Sequence, residues 1–359
     1  MFLDGVAPYA LEPAAKVTFL LRHLQELLAH HSTRCPPYAN LVEDWRQHCG
    51  SGEGGLEDYP CLPVTVFKEY DLRSSAEAGM RLESSATTSG TASKIFIDKA
   101  TRKRQSVSAN KVLSDFIGPH KRPYVVFDLE ATVRGTASLG ARGAAILSLA
   151  HHASKFYFVG HEVEGQLRLD LDSLHRALTE IGSQAFVAYG FTYILYQMHQ
   201  QLQEHGYTPP PVHPEAVFLH SGGWKRLTDL AVDKASFNHT IAAVWRISPQ
   251  HIIDFYGAVE QIGMLYPDCA AGRKHVPYWA EILIRQPDSL TPAGIGQTGL
   301  LQLLNCLPLS APNHSVLTED LGIIELLDGC ACGRRGKAFM FRGRAPRAEL
   351  RGCSDVARR

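Results

Sequence analysis

The chain has 359 residues, 45% of them hydrophobic and 20% charged, which is enough to bury a sizeable core in about two or three domain-sized units. Lysine plus arginine equals aspartate plus glutamate at 36 each, so no net field draws the chain to nucleic acid or an anionic membrane, and neither is expected as a partner. With no basic leader, no apolar stretch of about 18 residues and eight cysteines, several of them clustered, the chain reads as a cytosolic protein whose thiols stay reduced for metal-binding or catalytic work.

Taken in order, residues 14–31 carry Val17, Leu20, Leu21, Leu24, Leu27 and Leu28 at helical spacing, an amphipathic helix that implies packing and no chemistry. A glycine-rich stretch at 50–55 leads into residues 60–68, where Pro60 and Pro63 break helix and the β-branched residues favour a short extended piece. Lys68 at its end suits a phosphate or a carboxylate, or is a solvated lysine. Residues 84–94 read SSATTSGTASK and run directly into the strand-like Ile95, Phe96 and Ile97. Hydroxyls and glycine in such a loop can turn side-chain oxygens and backbone N–H groups onto phosphate oxygens, although serine/threonine-rich strings also serve as plain linkers.

A helix is expected over 101–116 and a buried strand over 124–128. The alternation continues with helix 137–150, strand 156–159, helix 170–181, strand 185–189 and helix 191–204. Strands alternating with helices argue for an α/β fold with largely parallel sheets and flanking helices, whose ligands sit at the carboxyl ends of strands. Tyr189, Phe191, Tyr193 and Tyr196 suit either ordinary core or an aromatic-acid pocket.

The run Pro209, Pro210 and Pro211 is a stiff connector to a strand at 216–219. His220, Ser221, Gly222, Gly223, Trp224 and Lys225 follow, and paired glycines directly after a strand let a ligand approach the backbone, or simply make a tight turn. Then comes Asp254-Phe255-Tyr256-Gly257-Ala258-Val259-Glu260. Tyr256 beside Gly257 can stack on a base, and Glu260, one helical turn on, can reach a Mg²⁺ held on phosphates, where hard oxygen ligands are preferred. Strands are expected at 279–285 and after the glycine turn that opens 294–305. At 317–322, LTEDLG offers Asp320, a carboxylate able to accept both hydroxyls of a ribose.

Together, SSATTSGTASK, HSGGWKRL, DFYGAVEQIG, LTEDLG, CACGRRGKAFMFRGR and AELRGCSD resemble, in that order, the acyl-protein synthetases of bacterial luminescence operons. These long-chain fatty acid to protein ligases are similar to phenylacetate-CoA ligases within the adenylate-forming superfamily. The likeness runs from about Pro60 to the C-terminus, and GGWK and RGCSD are its most particular strings. It implies an adenylate-forming core over 60–344, preceded by a helical segment over 1–59 and followed by a very short tail over 345–359 in place of a lid domain. It also implies that Ser85, Thr87, Thr88, Ser89, Gly90 and Thr91 hold ATP phosphates, with Thr88 and Lys94 as catalytic candidates. Gly222 and Gly223 would line the adenine beside Tyr256 and Gly257, Glu260 would bind Mg²⁺, Asp320 would hold the ribose, and Arg344 would lie at the nucleotide's edge. Against the family's serine-serine-glycine-threonine loop, Ala86 takes the glycine position if Ser84 and Ser85 are aligned, whereas Gly90 fits if the alignment moves to Ser89-Gly90-Thr91.

The implied reaction activates a carboxylic acid, a long-chain fatty acid by resemblance, as its acyl-adenylate and transfers the acyl group to a thiol. Cys353, with Arg351, Arg358 and Arg359 around it to favour the thiolate, is the acceptor that the resemblance implies. An acyl-CoA reductase-like partner would then take the acyl group. Transfer to CoA, a carrier-protein thiol or an amine is the alternative chemistry, and a non-catalytic acyl-binding subunit the alternative class. Cys269, His275, Cys330 and Cys332 supply a Cys₃His set of the kind tetrahedral zinc favours, similar to a pattern in the phenylacetate-CoA ligases; ordinary thiols are the alternative.

Overall fold

The computed structural model describes residues 2–49, 54–77, 79–83, 93–134, 138–224 and 231–345. At its centre is a sheet of six strands in the order Tyr266–Pro267, Ile252–Tyr256, Val217–Ser221, Val187–Phe191, Arg122–Val126 and Ala153–Phe158. All neighbours run parallel except the edge pair formed by Tyr266–Pro267. Its inner strands are buried on both sides, which is why they read as continuous apolar runs rather than alternating ones. Along them, side chains of period two feed two cores. Tyr124, Val126, Val187, Tyr189 and Leu219 join Val112 and Leu113 of the helix Lys99–Ile117. Val125, Phe127, Ala188 and Phe218 join Leu174, Leu195, Phe237 and Trp245 from the helices Leu171–Ile181, Thr192–Glu204 and Lys234–Trp245.

The expected alternation holds from 122 to 221, with the hairpin Gly160–Val163 and Gln166–Leu169 added. The helix Lys234–Trp245 and strand Ile252–Tyr256 that continue it were not expected, and the parallel expectation holds for this sheet apart from its edge pair. The C-terminal sheet differs. Its strands Lys274–His275, Ala338–Arg344, Ser315–Leu326, Thr298–Asn305 and Ala280–Arg285 are hydrogen-bonded antiparallel neighbours, with Leu62–Pro63 added parallel to Ser315–Leu326. Parallel neighbours need a crossover element, usually a helix, and residues 286–297, 306–314 and 327–337 contain none. The fold is therefore α/β with one parallel and one antiparallel main sheet.

Two local expectations are corrected. Residues 60–68 extend only at Leu62–Pro63; Thr65 is helical (φ −62°, ψ −30°), and Tyr70 N–H closes a turn onto Val66 O at 2.9 Å, giving the one-turn helix Val66–Glu69. Here the turn outweighs β-propensity, which depends strongly on context. The helix expected over 137–150 begins at Ala141, because Ser138–Gly140 pairs with the strand Gly79–Glu83 instead. The N-terminal helix Pro13–Arg34 lays Leu20 and Leu24 against Leu283 and Leu304 of the C-terminal sheet, and its buried Lys16 faces Glu281 at 3.7 Å. Among the described residues, no helix is long and apolar enough to cross a membrane.

Candidate active site

Three parallel strands end side by side at Phe191, Ser221 and Tyr256. Gly222 follows with φ +82°, and a Cβ there would lie 2.3 Å from the Phe191 ring, so conformation and space both require glycine. Gly223, at φ +59°, has open space where its Cβ would be. A Cβ on Gly257 would meet Met264 O at 3.2 Å. The paired glycines thus mark an open place at the carboxyl edge of the sheet, where ligands of α/β folds bind. The four aromatics divide between uses: Tyr189 stacks on Phe255 and Tyr196 on Phe237 in the cores, Phe191 lies under Gly222, and Tyr193 lines a cleft of ≈ 350 Å³ with Arg142 and Gln197.

Tyr256 is brought to Asp320. Its hydroxyl donates to Asp320 Oδ2 at 2.8 Å, and its ring stacks on Phe341 at 5.2 Å with 26° between planes. Asp320 lies in register with Arg344 on the neighbouring strand, and Arg344 Nε is 3.6 Å from Asp320 Oδ1. Burial raises the Asp320 carboxyl, against the lowering effects of the Tyr256 hydrogen bond and Arg344. Arg344 itself is largely exposed at the edge of this group.

Glu260 belongs to the short 3₁₀ turn Val259–Gln261 and is buried. Burial pushes its carboxyl up, and Asp320 adds to this; a hydrogen bond from the Ser93 side chain and the charge of Lys68 act the other way. Ser93, Lys68 and Asp320 thus all act on this carboxylate, and a bound cation would offset the burial that pushes it up. Its backbone carbonyl accepts a bond from Asn313 Nδ2.

Ser85, Thr87, Thr88, Ser89, Gly90 and Thr91 lie outside the described residues, as do Cys353 and the rest of 346–359. The ends of the hydroxyl-rich loop are defined, however. Glu83 pairs with Lys94 where the antiparallel strands Gly79–Glu83 and Lys94–Asp98 meet, and Ser93 reaches Glu260. Lys94 is exposed and its charge acts on Asp71.

Below the glycine turn lies a buried ionic group that sequence reading did not single out. Lys274 Nζ is 2.8 Å from Asp254 Oδ2 and 3.2 Å from Asp268 Oδ1, and Lys234 pairs with Asp268. Burial works against the charge on Lys274, but its two aspartates outweigh this and raise it. His220 is paired in register with Asp254 and accepts or donates through Nδ1 to Thr192 Oγ1 at 3.0 Å; burial holds it down at about 4 and therefore neutral. The strands' periodicity shows only apolar and polar positions, so a pairing between Asp254 and a lysine twenty residues later had no signal. Phe341 was missed for the same reason, and Asn313 because it lies in the connection between the strands Thr298–Asn305 and Ser315–Leu326.

Cys269, His275, Cys330 and Cys332 do come together, with their ligand atoms all within 4.8 Å of one another. Cys269 and Cys330 sulfurs are 4.0 Å apart, and Cys332 Sγ is 3.2 Å from His275 Nε2. Tetrahedral thiolates about 2.3 Å from a zinc ion would lie about 3.8 Å apart, so the spacing fits an ion between them, whereas a disulfide needs about 2.05 Å. His275, held down at about 4 by burial, is neutral and able to ligate, while burial raises Cys269 to about 11.

The parallel sheet with its glycine edge, beside the antiparallel sheet that carries Asp320, has the fold of an adenylate-forming ligase core. A 2-hydroxyisobutyryl-CoA ligase, in an open conformation with its acyl-adenylate and CoA, aligns with a TM-score of 0.69 over 95% of this chain and 80% of that one, at 15% identity. In its postadenylation state the same ligase aligns with a TM-score of 0.70 over 95% of this chain and 72% of that one. Within this class the chain belongs to the acyl-protein synthetase family, LuxE, whose family profile matches residues 4–359. It is 24% identical to the long-chain-fatty-acid–luciferin-component ligase of Vibrio harveyi, over 87% of this chain and 82% of that protein. To the ligase of the same name from Aliivibrio fischeri it is 22% identical, over 84% and 78%. The protein is thus a ligase of the acyl-protein synthetase family.

Proposed function

We propose that this ligase activates a long-chain fatty acid with ATP and passes the acyl group to its own Cys353. The carboxylate oxygen attacks the α-phosphorus, the bond to the β-phosphate bridging oxygen breaks, and pyrophosphate departs with that electron pair. The Cys353 thiolate then attacks the acyl carbonyl carbon, and AMP leaves as the C–O bond to phosphate breaks. Ser85, Thr87, Thr88, Ser89, Gly90, Thr91 and Lys94 hold and neutralise the phosphates, Gly222, Gly223, Tyr256 and Gly257 frame the base, and Asp320 with Arg344 orients the ribose. Glu260 would hold Mg²⁺, which when bound neutralises charge on the phosphate oxygens. Its fit rests on the raised, buried carboxyl described above.

The observation that carries this reading is where the chain leaves the site. Ala345 N–H donates to Glu319 O at 2.9 Å, beside Asp320, and Cys353 follows eight residues later. Such a tether spans at most roughly 28 Å, a reach suited to an acyl-adenylate seated on Asp320 and Tyr256 and to delivery into a partner. That partner we take to be an acyl-CoA reductase-like subunit, met in a reducing cytoplasm that keeps the thiol free. Cys269, His275, Cys330 and Cys332 would hold a structural zinc ion that ties 269–275 to 330–332. The test supplies labelled fatty acid and ATP and then locates the label. Cys353→Ser should keep releasing pyrophosphate and lose the hydroxylamine-sensitive thioester; a thioester persisting in that variant would refute the role.

A further inference from the structure

Glu260 sits on a 3₁₀ turn of three residues, too short to hold a side chain by cooperative helical bonding. What holds it comes from elsewhere. Residues 306–314 join two strands of the C-terminal sheet, and all of them except Leu309 are buried. Connecting segments usually run over the surface, because buried backbone groups must find partners. This one is tied down along its length. Thr101 Oγ1 accepts from Leu309 N and Ser310 N, both at 3.1 Å. Ser310 Oγ donates to Phe96 O at 2.9 Å, and Ser74 N donates to Ser310 O at 2.8 Å. His314 stacks on His31 of the N-terminal helix at 4.9 Å with 12° between rings.

At the end of this loop two buried amides grip the Glu260 turn. Asn313 Nδ2 donates to the carbonyl of Glu260, while Gln261 Nε2 donates to Asn313 O at 3.1 Å and to Leu303 O at 2.8 Å. Both side chains are almost wholly enclosed, at 2% and 1% exposure, so neither amide can exchange its partner for water. We infer that Asn313 is a positioning residue for Glu260: the buried loop 306–314, through this amide, sets the direction of the carboxylate and hence the affinity for the metal–nucleotide and the rate of adenylation. The inference rests on the reading of Glu260 as the ligand of that metal.

The experiment measures three quantities on the full-length protein: the Mg²⁺ dependence of pyrophosphate release, the binding of Mn²⁺ with a non-hydrolysable ATP analogue by electron paramagnetic resonance, and the melting temperature. Asn313→Asp keeps the shape but presents an acceptor to the Glu260 carbonyl. Because a displacement of about 1 Å can cost on the order of 100-fold in rate, it should raise the Mg²⁺ half-saturation and weaken Mn²⁺ binding by about tenfold, and lower maximal pyrophosphate release by about 10- to 100-fold, with the KM for fatty acid unchanged. Ser310→Ala, which loosens the same loop away from Glu260, should lower the melting temperature without moving the Mg²⁺ dependence. An unchanged Mg²⁺ half-saturation in Asn313→Asp overturns the proposal, as does an equal shift in Ser310→Ala. If Asn313→Asp does not fold, Gln261→Met, which frees the Asn313 carbonyl, is read in the same way. Should Glu260→Gln leave the Mg²⁺ dependence untouched, the reading of Glu260 fails and the clamp with it; a response to Glu260→Gln but not to Asn313→Asp sinks the clamp alone.

Discussion

The sheet edge at Tyr256 and the Cys/His cluster at the Lys274–His275 edge of the C-terminal sheet are both built largely from buried ionisable groups, but in opposite senses. At the cluster, four donors from two short stretches face one another within 4.8 Å, a closed set that suits an ion held for structure. At the edge, Ser93, Glu260, Asp320 and Arg344 arrive from separate segments, and burial pushes the two carboxyls up despite the charges of Lys68 and Arg344. A closed set satisfies itself once, whereas an unbalanced one is relieved each time a charged ligand arrives. On the proposed reading that difference separates scaffold from catalytic ground, and it can be broken from either side.

The largest effect on stability is expected at the cluster. Stripping zinc, or replacing Cys330 by Ser, should lower the melting temperature by on the order of 10 °C, since a loss of about 4 kcal/mol shifts a domain of this size by that much. Metal analysis of protein purified without chelator should find about one zinc per chain. A content well below stoichiometric that does not rise on reconstitution would sink the zinc assignment.

Next comes the ionic group beneath the glycine turn. Lys274→Met leaves the half-buried Asp254 without its lysine and the buried Asp268 with only the partly exposed Lys234, and removing one partner of a buried pair typically costs about 3–5 kcal/mol, an upper limit here. Chemical denaturation measures this, and a loss under about 1 kcal/mol would show that solvent reaches the pair.

Acid should weaken the fold through histidines that burial keeps neutral. His199 accepts from Trp245 Nε1 at 2.7 Å and is bonded to Leu195 O at 2.6 Å, so a second proton has no place; it is held down at about 4, as is His220, and His314 at about 3. These values lie below the unfolded one of about 6.5, so the unfolded chain takes up protons first. Stability is then complete above pH of about 6.5 and falls below it by about 1 kcal/mol per histidine per pH unit, down to the folded values. Denaturation midpoints that do not move between pH 7.5 and 5.5, values chosen on the order of one unit either side of that pKa, would contradict this.

The smallest change is Tyr256→Phe, which removes one hydrogen bond to a carboxylate. It should cost about 1.5–3 kcal/mol of stability and, with Asp320 no longer held, also weaken ATP binding. Isothermal titration with ATP distinguishes this from a purely structural tyrosine, whose loss would show in the melt and not in the titration.

Much of this was legible in the residues. The alternation from 122 to 221 follows from continuous apolar strands between amphipathic helices, whereas the helix Lys234–Trp245 and the strand Ile252–Tyr256 were not expected; the Tyr256, Glu260 and Asp320 strings name residue types whose chemistry is readable without coordinates. The antiparallel sheet was less legible, because an antiparallel strand such as Ala280–Arg285 is buried as continuously as a parallel one and periodicity does not report direction. Least legible was what holds the site. Asn313 lies in APNHS, which reads as a surface turn, and only the tertiary structure shows it buried against Glu260.

The central claim is that activation belongs to the sheet edge and acceptance to the tail, and ATP–pyrophosphate exchange with fatty acid tests it most directly across wild type, Glu260→Gln and Cys353→Ser. Exchange reports adenylation alone. Loss of a residue that stabilises transition-state charge costs about 10²–10³-fold, so Glu260→Gln should exchange that much more slowly, while Cys353→Ser should match wild type. Near-normal exchange in Glu260→Gln, or its abolition in Cys353→Ser, would contradict the account.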